Sequence, residues 1–252
     1  MSTSRSTVRG AIRGMGQRAN PAFAVGAVAV PAVALLYALL FAPVVHHIYV
    51  HVMAGVLWTG IDLFMALVLG PVLGGLSVEA RASVFRRFTP KMAFLMPSLA
   101  VVTIVGGVTL AERVGVFPHA GPWTALLTLA TTVPALLLLG WQFDALDDPR
   151  WIVAFAVSLL GGGGYLAVTA DAFGMTSPTI LVSLAIVTVL SVLGFGVLLP
   201  GEVRIYRQLA SGDPDPTVIS RIGMRNARLS GVQGLFQLAV VVAMVYLRWP
   251  AA

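Results

Sequence analysis

The chain has 252 residues, of which 58% are hydrophobic and only 10% charged, with a mean hydropathy of +0.92; soluble domains carry roughly 25% charged residues, so a soluble enzyme is excluded. The net charge of +6 does not mark a nucleic-acid surface, because the basic residues lie between apolar runs, where they report membrane orientation. The absence of cysteine excludes disulfides, thiolate metal sites, iron–sulfur clusters and covalent c-type haem, so any cofactor must rest on His, Met, carboxylate or backbone atoms.

Charge-free intervals count the membrane spans. Forty-three uncharged residues separate Arg18 from Asp62, about twice the 20 or so that one span needs, and Pro43 divides them into helices Ala22–Ala42 and His46–Leu69. The apolar run of the first is too long for a secretory signal core, and Pro43 falls where a mature chain would have to start, so this helix is expected to be retained. The later intervals each suit one helix: Lys91–Ala111, Trp123–Phe143, Trp151–Ala170, Pro178–Leu199 and Asn226–Trp249. The predicted fold is all-α, a single integral membrane domain over 1–252 with seven transmembrane helices, preceded by a basic cytoplasmic segment over 1–20.

Alternating helices require the basic residues to collect in alternate connections. Fourteen of them (Arg5, Arg9, Arg13, Arg18, Arg81, Arg86, Arg87, Lys91, Arg150, Arg204, Arg207, Arg221, Arg225 and Arg228) fall on one side, and only Arg113 and Arg248 on the other. The expected topology has a cytoplasmic N-terminus and an external C-terminus, in a multi-pass protein of the cell (plasma) membrane.

Two stretches read alike. Gly70-Pro71, a polar connection with Arg86 and Arg87, and a helix match Leu199-Pro200, a connection with Arg204 to Arg221, and a helix; Lys91 stands opposite Arg225. This is either a parallel repeat of 46–111 and 178–249 or the general likeness of two hairpins with arginines at one end. Within the first connection, Ser77–Phe88 has helical spacing of apolar residues and is expected to lie on the inner membrane surface. Ser211–Pro216 is a turn-rich loop.

Chemistry concentrates on the second span. At 100° per residue, His47, His51, Ala54, Trp58, Asp62, Met65 and Leu69 fall within a sector of about 60°. Asp62 is the one formal charge well inside a predicted span, and an intramembrane carboxylate costs about 2.5–3.5 kcal/mol, so it should face the protein interior as a proton-handling group or as half of an ion pair with Lys91, Arg86 or Arg87. His47 and His51, four apart, can grip one metal ion. They cannot sandwich a haem, whose axial ligands approach from opposite faces, so a haem on His51 needs a second ligand from another helix, His119 or Met175. The plainer reading makes His46 and His47 interfacial polar residues. Gly161–Gly164 should let a neighbouring helix or a flat cofactor approach closely, and Pro97 and Pro134 should kink their helices.

His51, Trp58-Thr59-Gly60, the closing Pro71, the basic connection, and a helix from Pro90-Lys91-Met92 to Gly106-Gly107 together resemble a superfamily of polytopic membrane proteins. It includes the copper-resistance protein D-like family and the HemJ-type protoporphyrinogen oxidases. The resemblance implies haem b, with His51 and Lys91 as counterparts of the family's membrane histidine and lysine.

The function expected from these readings is a redox role with haem b or a metal ion bound in the bundle: His51 and His119 as cofactor ligands, Trp58 packed beside the cofactor, His47 and His51 as metal ligands, Asp62 and Lys91 as catalytic groups, and a membrane redox partner or quinone for electrons. The alternatives are a permease for a small solute or copper, with Asp62 coupling to protons, and a non-catalytic accessory or assembly subunit. Retinal is excluded, since the last span has no lysine for a Schiff base.

Overall fold

The computed structural model describes residues 8–248; Arg5, the side chains of Arg9 and Arg248, and the expected helix end at Trp249 lie outside the described residues. All regular structure among them is helical, and seven helices are long and apolar enough to cross a membrane. The chain is thus an all-α protein of multi-pass membrane type.

The basic N-terminal segment contains a helix that the sequence reading did not anticipate. Helix α1 (Val8–Ala19) is amphipathic and ends at Asn20, whose φ of 76° turns the chain while its side chain accepts a hydrogen bond from the Ala22 amide at 3.0 Å. That bond and Pro21 start helix α2 (Pro21–Leu40). Met15 and Ala19 are buried, and Arg18 donates to the Leu209 carbonyl at 2.9 Å. At the other end of α2, Arg113 donates to the carbonyls of Ala38 and Ala42 at 3.2 and 2.7 Å. One of the few basic residues assigned to the external side is therefore a helix C-cap.

Helix α3 (Val44–Phe64) passes into a π-helical segment, Met65–Leu69, and on into α4 (Gly70–Gly74). The second span thus runs beyond its expected end at Leu69. A proline collides with the carbonyl one turn back in a regular helix, and a widened π turn before Pro71 moves that carbonyl aside. The same happens in the sixth span: α8 (Pro178–Leu193), a π segment Gly194–Leu198, then α9 (Leu199–Ala210) with Pro200 in its first turn. The expected end at Leu199 is extended by a further helix.

Helix α5 (Val78–Arg113) is one continuous rod, capped by Ser77 Oγ on the Ala80 amide at 3.2 Å. The separate surface helix expected over Ser77–Phe88 is its first turns. Its apolar face is covered by protein and not by lipid: Ala82 and Phe85 pack with Leu73, Ile205, Leu209 and Ile219 in a core cluster at the arginine-rich end. Helix α10 (Pro216–Arg248) likewise starts well before the expected Asn226.

Helices α6 (Ala120–Phe143) and α7 (Pro149–Val168) form a hairpin beside this core. Gly161–Gly164 stays helical within α7. Only Gly162 is needed for packing, because a Cβ there would come within 2.7 Å of Leu129; the other three face open space. Helix α7 is the outermost span, with 6% of its apolar window buried against 33% for α10.

The two similar stretches now have a common shape. Each is a helix, a π segment, a proline at the same interval after the segment begins, a connection, and a long helix. Helix α5 packs on α9 of the other half, and α10 packs on the Met65–Leu69 segment and α4. Gly231 and Gly234 of α10 sit against Ala66 and Leu63, where added Cβ atoms would lie 2.8 and 2.7 Å away. Helices α3, α5, α8 and α10 meet around a central core that includes Trp58, Leu99, Ala100 and Leu190.

Candidate functional site

The residues of the second-span stripe are turned inward: His47, His51, Ala54, Trp58, Asp62 and Met65 are all buried. They divide into two groups with different surroundings.

The two histidines lie against α5. His47 Nε2 donates to the Gly106 carbonyl at 3.1 Å, with the Thr109 hydroxyl at 3.3 Å, and His51 Nδ1 donates to the Thr103 carbonyl at 2.9 Å. The Gly106-Gly107 pair makes room for them, since a Cβ on Gly107 would lie 2.7 Å from His51 Cε1. Burying an imidazole is tolerable when its N–H has a carbonyl to bond, so this pair fastens α3 to α5.

His119 lies elsewhere. It takes a left-handed conformation (φ 57°) at the start of α6 and donates through Nδ1 to the Ala172 carbonyl at 2.8 Å, tying together the connections that flank α6 and α7. Helix α3 packs on α2, α5 and α10, whereas α6 packs on α7 and α8. His51 and His119 are therefore not brought together, and a haem b held between them does not fit this arrangement. Met175 is 73% exposed. Among the described residues no three His, Asp or Glu side chains gather around a position for one metal ion.

Trp58 and Asp62, by contrast, line a cavity of about 70 Å³ that is partly open to the surroundings. Helix α5 contributes Phe88, Met92 and Met96, the second π segment contributes Phe195 and Leu198, α9 contributes Glu202, and α10 contributes Asn226, Ser230 and Gln233. Asp62 is fully buried, at 0% exposure. Its partner is a neutral amide: Gln237 Nε2 donates to Asp62 Oδ2 at 2.9 Å, and Ser230 stands beside the carboxylate. The expected cationic partners are absent from this wall. Lys91 is in α5 but outside the cavity lining, and its ammonium donates to the Arg87 carbonyl one turn back at 3.3 Å. The structure does not bring Asp62 and Lys91 together.

Glu202 is a functional candidate that sequence reasoning missed. It accepts a hydrogen bond from Asn226 Nδ2 at 2.8 Å, and the same amide donates to the Leu198 carbonyl at 3.2 Å. Small residues admit the α10 amides: a Cβ on Gly201 would strike Asn226 at 2.6 Å. Asn226, Ser230, Gln233 and Gln237 recur at four- and three-residue spacing and form one polar stripe on α10.

Asp62 Oδ1, Glu202 Oε2 and Gln233 Oε1 are buried acceptors with no partner in close hydrogen-bond geometry, with the Ser230 hydroxyl beside Asp62 and the Thr89 hydroxyl beside Glu202. Beside them stand methionine sulfur and aromatic faces, which suit an apolar or cationic body. Compared with family models, with curated proteins and with solved structures, the chain finds no match.

Proposed function

We propose that the protein is a small-solute permease of the plasma membrane, oriented with its arginine-rich end in the cytoplasm, which exchanges an amphipathic organic cation for a proton at Asp62. The observation that carries the reading is a wholly buried carboxylate, held by a neutral amide beside the Ser230 hydroxyl, on the wall of a cavity between two similar halves with no cation among its lining residues. A carboxylate so placed is stable either as the protonated acid or with a cation beside it. Those two states are the two loads of an exchanger: the arriving ammonium group takes the place of the proton, one positive charge for one. Glu202 and Gln233 supply further acceptors, while Trp58, Phe195 and the methionines receive the apolar part.

The test is reconstitution of the full chain in proteoliposomes loaded with a pH-sensitive dye, followed by addition of a panel of small amphipathic amines. At least one amine is expected to drive proton counterflux that falls more than tenfold in Asp62→Asn and is unchanged in the surface control Glu79→Gln. Flux indifferent to Asp62→Asn, or no flux with any amine, refutes the proposal.

A further inference from the structure

A second concavity, separate from the Asp62 cavity, lies between α9 and α10 at the arginine-rich end. Arg204 and Arg207 of α9 are three residues apart, and Arg221 and Arg225 of α10 are four apart. Each pair therefore shares a helix face, and the two helices bring both pairs to the wall of one pocket, along with Gln208, Val218 and Ile222. No carboxylate lines it. Asp215, in the connection between the two helices, turns its carboxylate to the Thr217 and Val218 amides at 2.7 and 3.3 Å, and Glu202 is bonded to Asn226 and lines the neighbouring cavity.

The guanidinium groups are also held in place. Arg204 Nη2 donates to the Gln142 carbonyl at the end of α6 at 3.1 Å, and Arg207 lies over the Phe143 ring, 4.5 Å from its centre. Arg225 Nη2 donates to Asn226 Oδ1 at 3.3 Å. Arg204, Arg207 and Arg225 are thus held around one hollow whose lining also includes Arg221, and guanidinium forks match phosphate oxygens. Val218 and Ile222 give the same pocket an apolar edge, and the pocket lies at the arginine-rich end of two candidate spans, Pro178–Ala210 and Pro216–Leu247.

We infer that this pocket is a binding site for the phosphate headgroup of an anionic phospholipid. Basic pockets between transmembrane helices on the cytoplasmic side hold such headgroups. The apolar edge favours a lipid over free phosphate, because only a lipid has acyl chains to lay along it.

Native mass spectrometry of the full chain in detergent, titrated with dioleoylphosphatidylglycerol, dioleoylphosphatidylcholine or inorganic phosphate, tests the inference. Phosphatidylglycerol is expected to bind at least tenfold more tightly than phosphatidylcholine. The Arg204→Gln/Arg221→Gln variant should lose that preference, while Arg150→Gln, a basic residue at the same end but outside the pocket, keeps it. Thermal melting without added lipid checks that the variants are folded; should the double variant melt early, Arg221→Gln alone, exposed on α10, is expected to reduce the preference at least threefold. Equal binding of the two lipids, a preference unchanged in the variants, or saturation by inorganic phosphate with no headgroup preference overturns it. The readout is independent of any transport by the Asp62 cavity.

Discussion

The contact between Gly107 and His51 supports a prediction whose sign is decided by two opposing effects. In Gly107→Ala the new Cβ would stand 2.7 Å from His51 Cε1, about 1 Å inside a normal carbon–carbon contact. The ring cannot swing aside without losing its 2.9 Å bond to the Thr103 carbonyl, which costs about 1–3 kcal/mol for a buried donor left unpaired. If α3 and α5 separate instead, overpacking costs about 1–3 kcal/mol. Against either, alanine is better than glycine in a helix by about 1 kcal/mol. The net expectation is a destabilisation of about 1 kcal/mol, the middle of a range of about 0–2, measured by unfolding in a fixed detergent. The double variant His51→Ala/Gly107→Ala should be less destabilised than the sum of the single variants, whereas Gly164→Ala, which meets nothing, should be neutral or stabilising. A Gly107→Ala protein as stable as the parent, or strict additivity in the cycle, refutes the reasoning.

Other positions give sharper or simpler readings. Gln237→Leu removes the donor to Asp62 and should cost about 1–3 kcal/mol in the same unfolding assay, with much of the loss recovered in Asp62→Leu/Gln237→Leu; no recovery would mean that the pair is not coupled. Arg113→Gln releases the Ala38 and Ala42 carbonyls and should speed hydrogen exchange in the last turn of α2, leaving α7 unaffected. Deleting Val197 converts the Gly194–Leu198 segment to a regular α-helix by removing the extra residue of the π turn; helicity by circular dichroism should persist while amine-driven proton flux falls at least tenfold. Because His51 and His119 are held apart, haem b ligated by this pair is not expected; a stoichiometric Soret band that is lost in both His51→Ala and His119→Ala would refute that.

Seven spans were legible because a bilayer tolerates few charges, which leaves intervals that can be counted directly. Helix ends were less legible where proline intervened: Pro71 and Pro200 read as terminators, and only coordinates show the π turns that let each helix continue. Glu202 was overlooked for that reason, since it fell beyond a supposed end. The α10 stripe of Asn226, Ser230, Gln233 and Gln237 could have been found by the same periodicity test that picked out His47 to Met65. The inward turn of that second-span face was readable, but its division was not. Which carbonyl an imidazole meets depends on how α5 packs, and nothing in the spacing of His47 and His51 tells a ligand from a fastener.

The two π segments set the halves in register, and the acids do not obey that register. Asp62 precedes its segment by one turn, where the other half has Ser191; Glu202 follows its segment by one turn, where the first half has Leu73. The carboxylates are accordingly staggered by about two to three helical turns along the bundle axis, as rungs at different depths and not as a ring at one level. Under the proposed exchange, a cation moving between the two acids would advance along the bundle axis by that offset, which gives near-equal halves an asymmetry.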